Sequence, residues 1–367
     1  MSRPEAQPTV EKRAAQRIRY LRTTDGVQLA WAEAGTKGPV LVKAANWLTH
    51  LEYEWESPVW RHWIRFFAEH FRFVRYDERG CGMTDRSVGE LSFERWVEDL
   101  EAVVDAAGIE EPFTLLGISQ GASVCVAYAA RRPERVSRLL LYGGYARGWA
   151  LRGDKRGQRE YEAIVELVRQ GWGRDNPTFR QLFTSRFIPG GTSEQLAWFN
   201  ELCRKTISPE MAAVLLDSRS RIDVRDLLGR VQAPTLVIHG RGDAICPISE
   251  GRFLASGIPG GQFVELDSAN HILLEGEPAW GRFRDAVSEF MGLGVRADAD
   301  PAFASLSSRE REILVLVTEG LGNAAIGERL SISEKTVRNH ISNVFDKLGV
   351  WTRAQAIVFA RDRGFRQ

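Results

Sequence analysis

The sequence predicts a large α/β domain with a mostly parallel sheet, followed by a small all-α domain. Three observations carry this expectation. Short apolar runs alternate with longer amphipathic stretches through most of the chain. A Gly-x-Ser-x-Gly stretch, Gly117-Ile-Ser-Gln-Gly121, stands between one such run and a helical segment. Near the C-terminus, Ser333 to Leu348 has the period of an amphipathic helix with a polar, donor-bearing face.

Length and composition set the outer bounds. A chain of 367 residues exceeds one ordinary domain. With 44% hydrophobic and 26% charged residues and a net charge of +1, it is neither a disordered acidic or basic chain nor an obvious membrane protein. The opening Met-Ser-Arg-Pro-Glu-Ala-Gln-Pro lacks the apolar stretch of a signal peptide, and no apolar run approaches the roughly 20 residues of a membrane span. A cytoplasmic protein away from membranes is therefore expected. Cys81, Cys125, Cys203 and Cys246 are far apart and lack metal-ligand spacing, so reduced packing cysteines are expected, with no metal and no cofactor. The expected organisation is a tail at 1–17, the α/β domain at 18–291, a Gly-, Asp- and Pro-bearing linker at 292–304 and the helical domain at 305–367.

Within the α/β domain, candidate strands lie at 40–44, 73–76, 113–116, 139–142, 235–239 and 262–266. The third ends at Gly117-Ile-Ser-Gln-Gly121, where the glycines permit a sharp strand-to-helix turn and lift the Ser119 hydroxyl above the sheet edge. At such a helix start, the Gln120 N–H can stabilise an oxyanion. A serine needs a histidine to take its proton and an acid to orient that histidine. Asp243, at the end of the fifth run, fits the acid; His271, just after the sixth, fits the base. His239 lies inside a strand and reads as a packed core histidine. Arg241-Gly-Asp243 would suggest adhesion only in a secreted chain.

With Arg75-Tyr-Asp-Glu-Arg-Gly-Cys-Gly-Met-Thr-Asp85, these residues make 18–291 resemble the α/β-hydrolase fold. The resemblance implies a Ser119–His271–Asp243 triad and an oxyanion hole formed by the N–H groups of Gln120 and Trp47. Many relatives carry His-Gly where this chain has Ala45-Asn46. Asparagine tolerates a left-handed backbone, so the same turn is expected at Asn46. Residues 149–226 form a mostly helical insert that resembles a lid, with Trp172, Phe179, Phe183, Phe187, Trp198 and Phe199 mainly as lid core. Trp47, Leu48, His50 and Phe187 are expected to line a pocket for a small apolar ligand with a carbonyl group.

In the helical domain, Ser307-Ser-Arg-Glu310 has capping-box spacing before Ile313, Leu314, Leu316 and Val317, and Gly320 marks that helix's end. Asn323 is expected to cap a short helix through Leu330, and Ser333 to cap the next after the turn Ser331-Ile332-Ser333. At about 100° per residue, Val337, Ile341, Val344 and Leu348 share one stripe, with Lys335, Arg338, Asn339 and Ser342 opposite. That pattern is a helix-turn-helix with a recognition helix for the major groove.

The segment from Leu306 to Phe365 resembles the LuxR-type DNA-binding domain through Leu306-Ser-Ser-Arg-Glu-Arg-Glu-Ile, Glu319-Gly-Leu-Gly-Asn, Ile332-Ser-Glu-Lys-Thr-Val and Lys347-Leu-Gly-Val. The resemblance implies that Arg338, Asn339 and Ser342 face bases, that Lys335, Thr336 and Lys347 touch phosphate, and that a last helix from Arg353 to Arg363 supports a homodimer. Residues 301–367 hold ten Lys and Arg against seven Asp and Glu, which favours double-stranded DNA over a protein-interaction module. The whole chain is similar to bacterial LuxR-type regulators with an N-terminal α/β-hydrolase domain. Three functions stay open for that domain: sensing an ester or lactone, hydrolysing it as a serine esterase or lactonase, or serving only as a dimerisation platform.

Overall fold

The computed structural model describes residues 16–293, 303, 305–330, 332–362 and 365. Most of the expected tail and linker, together with Ser331 and Arg363, lies outside the described residues. The chain divides into two compact units, Met1–Arg284 and Asp285–Gln367, so the division falls within a helix rather than after it.

Unit one is built on an eight-stranded sheet: β1 (Arg17–Arg22), β2 (Gln28–Ala34), β3 (Val40–Lys43), β4 (Arg72–Tyr76), β5 (Phe113–Ile118), β6 (Val136–Tyr142), β7 (Thr235–Gly240) and β8 (Gln262–Leu266). Their spatial order is β1-β2-β4-β3-β5-β6-β7-β8. β1 and β2 are antiparallel additions, and every pairing from β4 through β3 to β8 is parallel. β1 begins inside the stretch expected to be tail. All six residues of β5 and of β7 are buried, as expected for central parallel strands covered on both faces.

The covering helices are α1 (Leu51–Trp55), α2 (Arg61–His70), α3 (Phe93–Ala106), α4 (Gly121–Arg131), α5 (Lys155–Gly171), α6 (Thr178–Phe187), α7 (Ser193–Thr206), α8 (Pro209–Arg219), α9 (Ile248–Gly257) and α10 (Pro278–Met291). Helices α5 to α8 make up the insert between β6 and β7. α4 is buried from Gly121 through Ala130, so the helix behind the serine belongs to the core. Opposite it, Trp63 packs on Phe283, Trp280 and Tyr142 with ring centroids 4.6, 5.1 and 5.1 Å away.

Unit two contains α11 (Ser308–Thr318), α12 (Asn323–Leu330), α13 (Glu334–Leu348) and α14 (Arg353–Asp362). The Ser307–Glu310 capping box forms in both directions, at 3.3 and 2.7 Å. Asn323 does not cap α12. It is that helix's first residue, and its side-chain oxygen accepts from Arg353 at 3.1 Å instead. The turn into α13 is tight enough that a Cβ on Gly327 would lie 2.8 Å from the Ile332 carbonyl oxygen. Ser333 caps α13 by accepting from the Thr336 N–H at 3.1 Å, and Gly349 closes it with φ 66°.

Candidate functional site

Ser119, Asp243 and His271 lie beyond the C-terminal ends of β5, β7 and β8, the edge where parallel α/β sheets place their ligands. Ser119 has φ 55°, the only described non-glycine residue with positive φ, and is held by its N–H donating to the Tyr142 carbonyl at 2.9 Å. Both neighbouring glycines answer to close approach. A Cβ at Gly117 would lie 2.5 Å from the Ala122 Cα, and one at Gly121 would lie 3.0 Å from the Ala45 carbonyl oxygen.

His271 Nδ1 donates to Asp243 Oδ2 at 2.6 Å. The other carboxylate oxygen accepts the N–H groups of Ile245 and Cys246 at 2.8 and 3.0 Å. Burial pushes the Asp243 carboxyl up, but the charge and hydrogen bond of His271 outweigh this and hold it below its ordinary value. His271 Nε2 is buried and has no hydrogen-bond partner among the described residues, so acid and base are joined while base and nucleophile are not.

The expected oxyanion hole is altered. The Trp47 N–H donates at 3.1 Å to Oε1 of the Gln120 side chain, so one of the two expected donors is already engaged. Trp47 and Gln120 are 3% and 2% exposed, and water does not compete for this bond. Asn46 also departs from expectation. Its backbone is not left-handed; its side chain accepts from Lys43 Nζ and donates to the Trp47 carbonyl, bracing the loop by hydrogen bonds instead.

Above the triad, the insert sends down one aromatic row. Trp47 packs on Trp172 and Phe183, both with centroids 5.8 Å away. Phe183 meets Phe187 at 4.7 Å, and Phe187 meets both Phe199 and the His271 ring, at 5.5 and 5.4 Å. Trp172, Phe183, Phe187 and Phe199 thus form one row, whereas Trp198 stacks on Tyr53 at 4.9 Å and Phe179 lies under the Arg174 guanidinium at 5.1 Å. The Phe187 carbonyl also accepts the His271 N–H at 2.8 Å. Leu48 is buried at 1% exposure. His50 caps α1, its Nδ1 accepting from the Tyr53 N–H at 3.3 Å; that role accounts for it without a ligand.

Two further groups escaped the sequence reading. His239, read as core packing, is fully buried, but its Nε2 also lies 3.6 Å from Asp243 Oδ2 and 2.8 Å from the Cys246 carbonyl. It thus borders the acid, and the four-residue spacing to Asp243 was the available clue. Arg219 of α8 pairs with buried Glu78 and lies over Trp47 and Trp96, its guanidinium carbon 4.9 and 5.4 Å from their centroids. That pair ties the insert to the loop after β4, and nothing local in the sequence announces it.

In unit two, Val337, Ile341, Val344 and Leu348 are the buried residues of α13, while Lys335, Arg338, Asn339 and Ser342 are exposed. Arg338 makes an exposed i,i+4 pair with Glu334 at 3.3 Å, the kind of surface contact that adds little to stability. The Thr336 hydroxyl is hydrogen-bonded to Ser333 at 2.8 Å. Lys347 donates to Glu310 of the capping box at 2.7 Å, giving it a structural partner where a phosphate contact was expected.

The family described as alpha/beta hydrolase fold matches residues 53–278, and the family described as bacterial regulatory proteins, luxR family, matches residues 304–360. The AB hydrolase superfamily protein YisY of Bacillus subtilis is 26% identical over 257 residues, covering 69% of this chain and 91% of YisY. The transcriptional regulatory protein DegU of Brevibacillus brevis is 50% identical over 60 residues, covering 16% of this chain and 25% of DegU. A solved hydrolase from Pseudomonas aeruginosa PA01 superposes with TM-score 0.62 at 25% identity, covering 75% of this chain and 98% of that one. No helix among the described residues is long and apolar enough to cross a membrane.

Proposed function

Because the chain belongs to the alpha/beta hydrolase fold family and carries a luxR-family regulatory domain, we propose that it is a homodimeric transcription regulator of double-stranded DNA. Its hydrolase-fold domain would receive a small apolar ester, lactone or similar carbonyl compound at Ser119 and His271. The supporting observation is the coexistence in one chain of a base aligned by its acid at 2.6 Å and a helix that buries its stripe while exposing Arg338, Asn339 and Ser342. In this reading those three side chains address base edges, and Lys335 and Thr336 address phosphate.

The aligned base also favours a second reading, in which the domain is an active serine esterase or lactonase that consumes or produces its own signal. Asp243 holds His271 with Nδ1 protonated, which leaves Nε2 bare to take the Ser119 proton as the hydroxyl oxygen attacks the carbonyl. The same proton then passes to the departing alkoxide, and water releases the acyl group by the reverse sequence.

A ligand changes DNA affinity only by favouring one conformation or assembly over another. The test begins by selecting a duplex from a random library with the full chain, then converting Ser119 to its phosphonate adduct with a fluorophosphonate, a fixed tetrahedral mimic. Altered DNA affinity or oligomeric state on adduct formation supports the switch. Unchanged affinity and assembly at complete modification would remove it, and failure to enrich any duplex would remove the regulator. Turnover of acyl esters or lactones that disappears in Ser119→Ala supports the second reading.

A further inference from the structure

A cleft of about 370 Å³ opens between the start of the insert and the loop that carries Asp243. Its volume lies within the ordinary range for small-molecule sites. Ser119 and His271 take no part in its wall. The rings of Trp149 and Tyr161 stack along it, 5.4 Å apart and 7° from parallel.

The charges in this wall are unevenly compensated. Glu250 is neutralised by Arg147 at 3.0 Å, and Glu160 pairs with Arg156 at 3.2 Å. Asp154 is the cap of α5, and Asp243 faces His271. Arg152 and Arg186 have no carboxylate partner among the described residues. Each donates to a main-chain carbonyl, Arg152 to Arg147 at 3.3 Å and Arg186 to Ala244 at 2.9 Å. Their guanidinium groups lie over Tyr145 and Tyr161, with centroids 5.0 and 5.2 Å away, and both side chains line the same cleft. A guanidinium carries five N–H donors in a planar fork, so each has donors beyond these bonds.

We propose that this cleft is a second ligand site that takes a small aromatic carboxylate, its anion held by Arg152 and Arg186 and its ring laid against Trp149. Two arginines lacking acidic partners beside a stacked aromatic wall suit the planar anion of such a ligand. Asp154, the one carboxylate of the wall with neither an arginine nor a histidine partner among the described residues, is occupied in capping α5. The site is also wired to the triad. The Tyr161 hydroxyl donates to the Ile245 carbonyl and Arg186 to that of Ala244, while the Ile245 and Cys246 N–H groups hold Asp243. An occupant that draws on Arg186 therefore acts on the acid loop without touching Ser119, and the site does not require Ser119 to turn over.

The probe is sodium benzoate, titrated calorimetrically into the full chain. Binding is expected with Kd on the order of 0.1–1 mM, as suits so small a ligand. Arg152→Gln with Arg186→Gln should weaken it at least tenfold, and Ser119→Ala should leave it unchanged. Benzamide, which keeps the ring and removes the charge, should bind at least tenfold more weakly to the unaltered chain, a comparison that stands even if the double variant folds poorly. No heat at about ten times that concentration range, equal binding of benzamide, unchanged binding by a folded double variant, or loss of binding in Ser119→Ala would each overturn the site.

Discussion

Replacing Gln120 by Met should make Ser119 more reactive while making the protein less stable. Met keeps the length and apolar stem of the side chain but removes the oxygen that accepts the Trp47 N–H at 3.1 Å. In the resting protein, a ligand carbonyl that uses this donor must first displace Gln120. A neutral hydrogen bond has a net worth of about 0.5–1.5 kcal/mol, so removing the competitor should speed acylation roughly two- to tenfold. The same change leaves a donor in a residue only 3% exposed without a partner, at a cost of about 1–3 kcal/mol. For a domain of this size, that lowers Tm by about 2–4 °C per kcal/mol. The assay is the second-order rate of fluorophosphonate addition to Ser119, followed by intact mass, alongside calorimetric melting. Equal or slower addition in a variant whose Tm has fallen would refute the reasoning, because the bond would then be structural and outside the path of the carbonyl.

Two other expectations concern the C-terminal unit. Hydrogen bonding to Lys347 and to the Ser307 N–H lowers the Glu310 carboxyl from 4.5 to about 2. Its contribution to stability is therefore complete above pH 4.5 and lost as pH falls through that interval towards 2. The full shift would correspond to about 3 kcal/mol, but Lys347 is 36% exposed and solvent screening reduces the expectation to about 1–2 kcal/mol. Amide exchange in α11, corrected for intrinsic rates, should show protection falling between pH 4.5 and 2 in the native chain; a Glu310→Gln variant that keeps the same pH dependence would contradict this. Arg338→Ala should weaken binding to a selected duplex by about 1–3 kcal/mol and far less to random DNA; equal losses on both, measured by anisotropy, would reassign it to phosphate.

Much of this architecture is legible along the chain because its physics is local. β5 and β7 announce themselves as short apolar runs, and the Ser119 turn is written in its two glycines. The stripe of α13 and the Ser307–Glu310 box depend on spacings within a single helix or its cap. β1 and β2 are harder to see. Arg17-Ile-Arg-Tyr-Leu-Arg22 is a largely exposed edge strand, and the Ala-rich Gln28-Leu-Ala-Trp-Ala-Glu-Ala34 has a helix former's composition; long-range pairing with β4 decides its state. The candidate site divides in the same way. The three triad positions lie at strand ends that local pattern locates, whereas the Trp47–Gln120 bond joins residues 73 apart and the Glu78–Arg219 pair residues 141 apart. Asn46 and Asn323 suit roles that asparagine often fills, a left-handed turn and a helix cap, but a nearby Lys43 and Arg353 recruit their side chains instead.

The hydrogen bonds at the end of α6 carry a mechanical consequence. Both His271 and Ile272 donate their N–H to the Phe187 carbonyl, at 2.8 and 3.4 Å, and the Gly190 N–H reaches Asn270 at 2.8 Å. The last turn of α6 is therefore fastened to the segment that presents the base. Were this helix to swing away as a door, it would carry its own latch and the imidazole's footing with it. A swing of α6 would therefore unseat the base in the act of uncovering it, so an open α6 and a seated imidazole exclude one another.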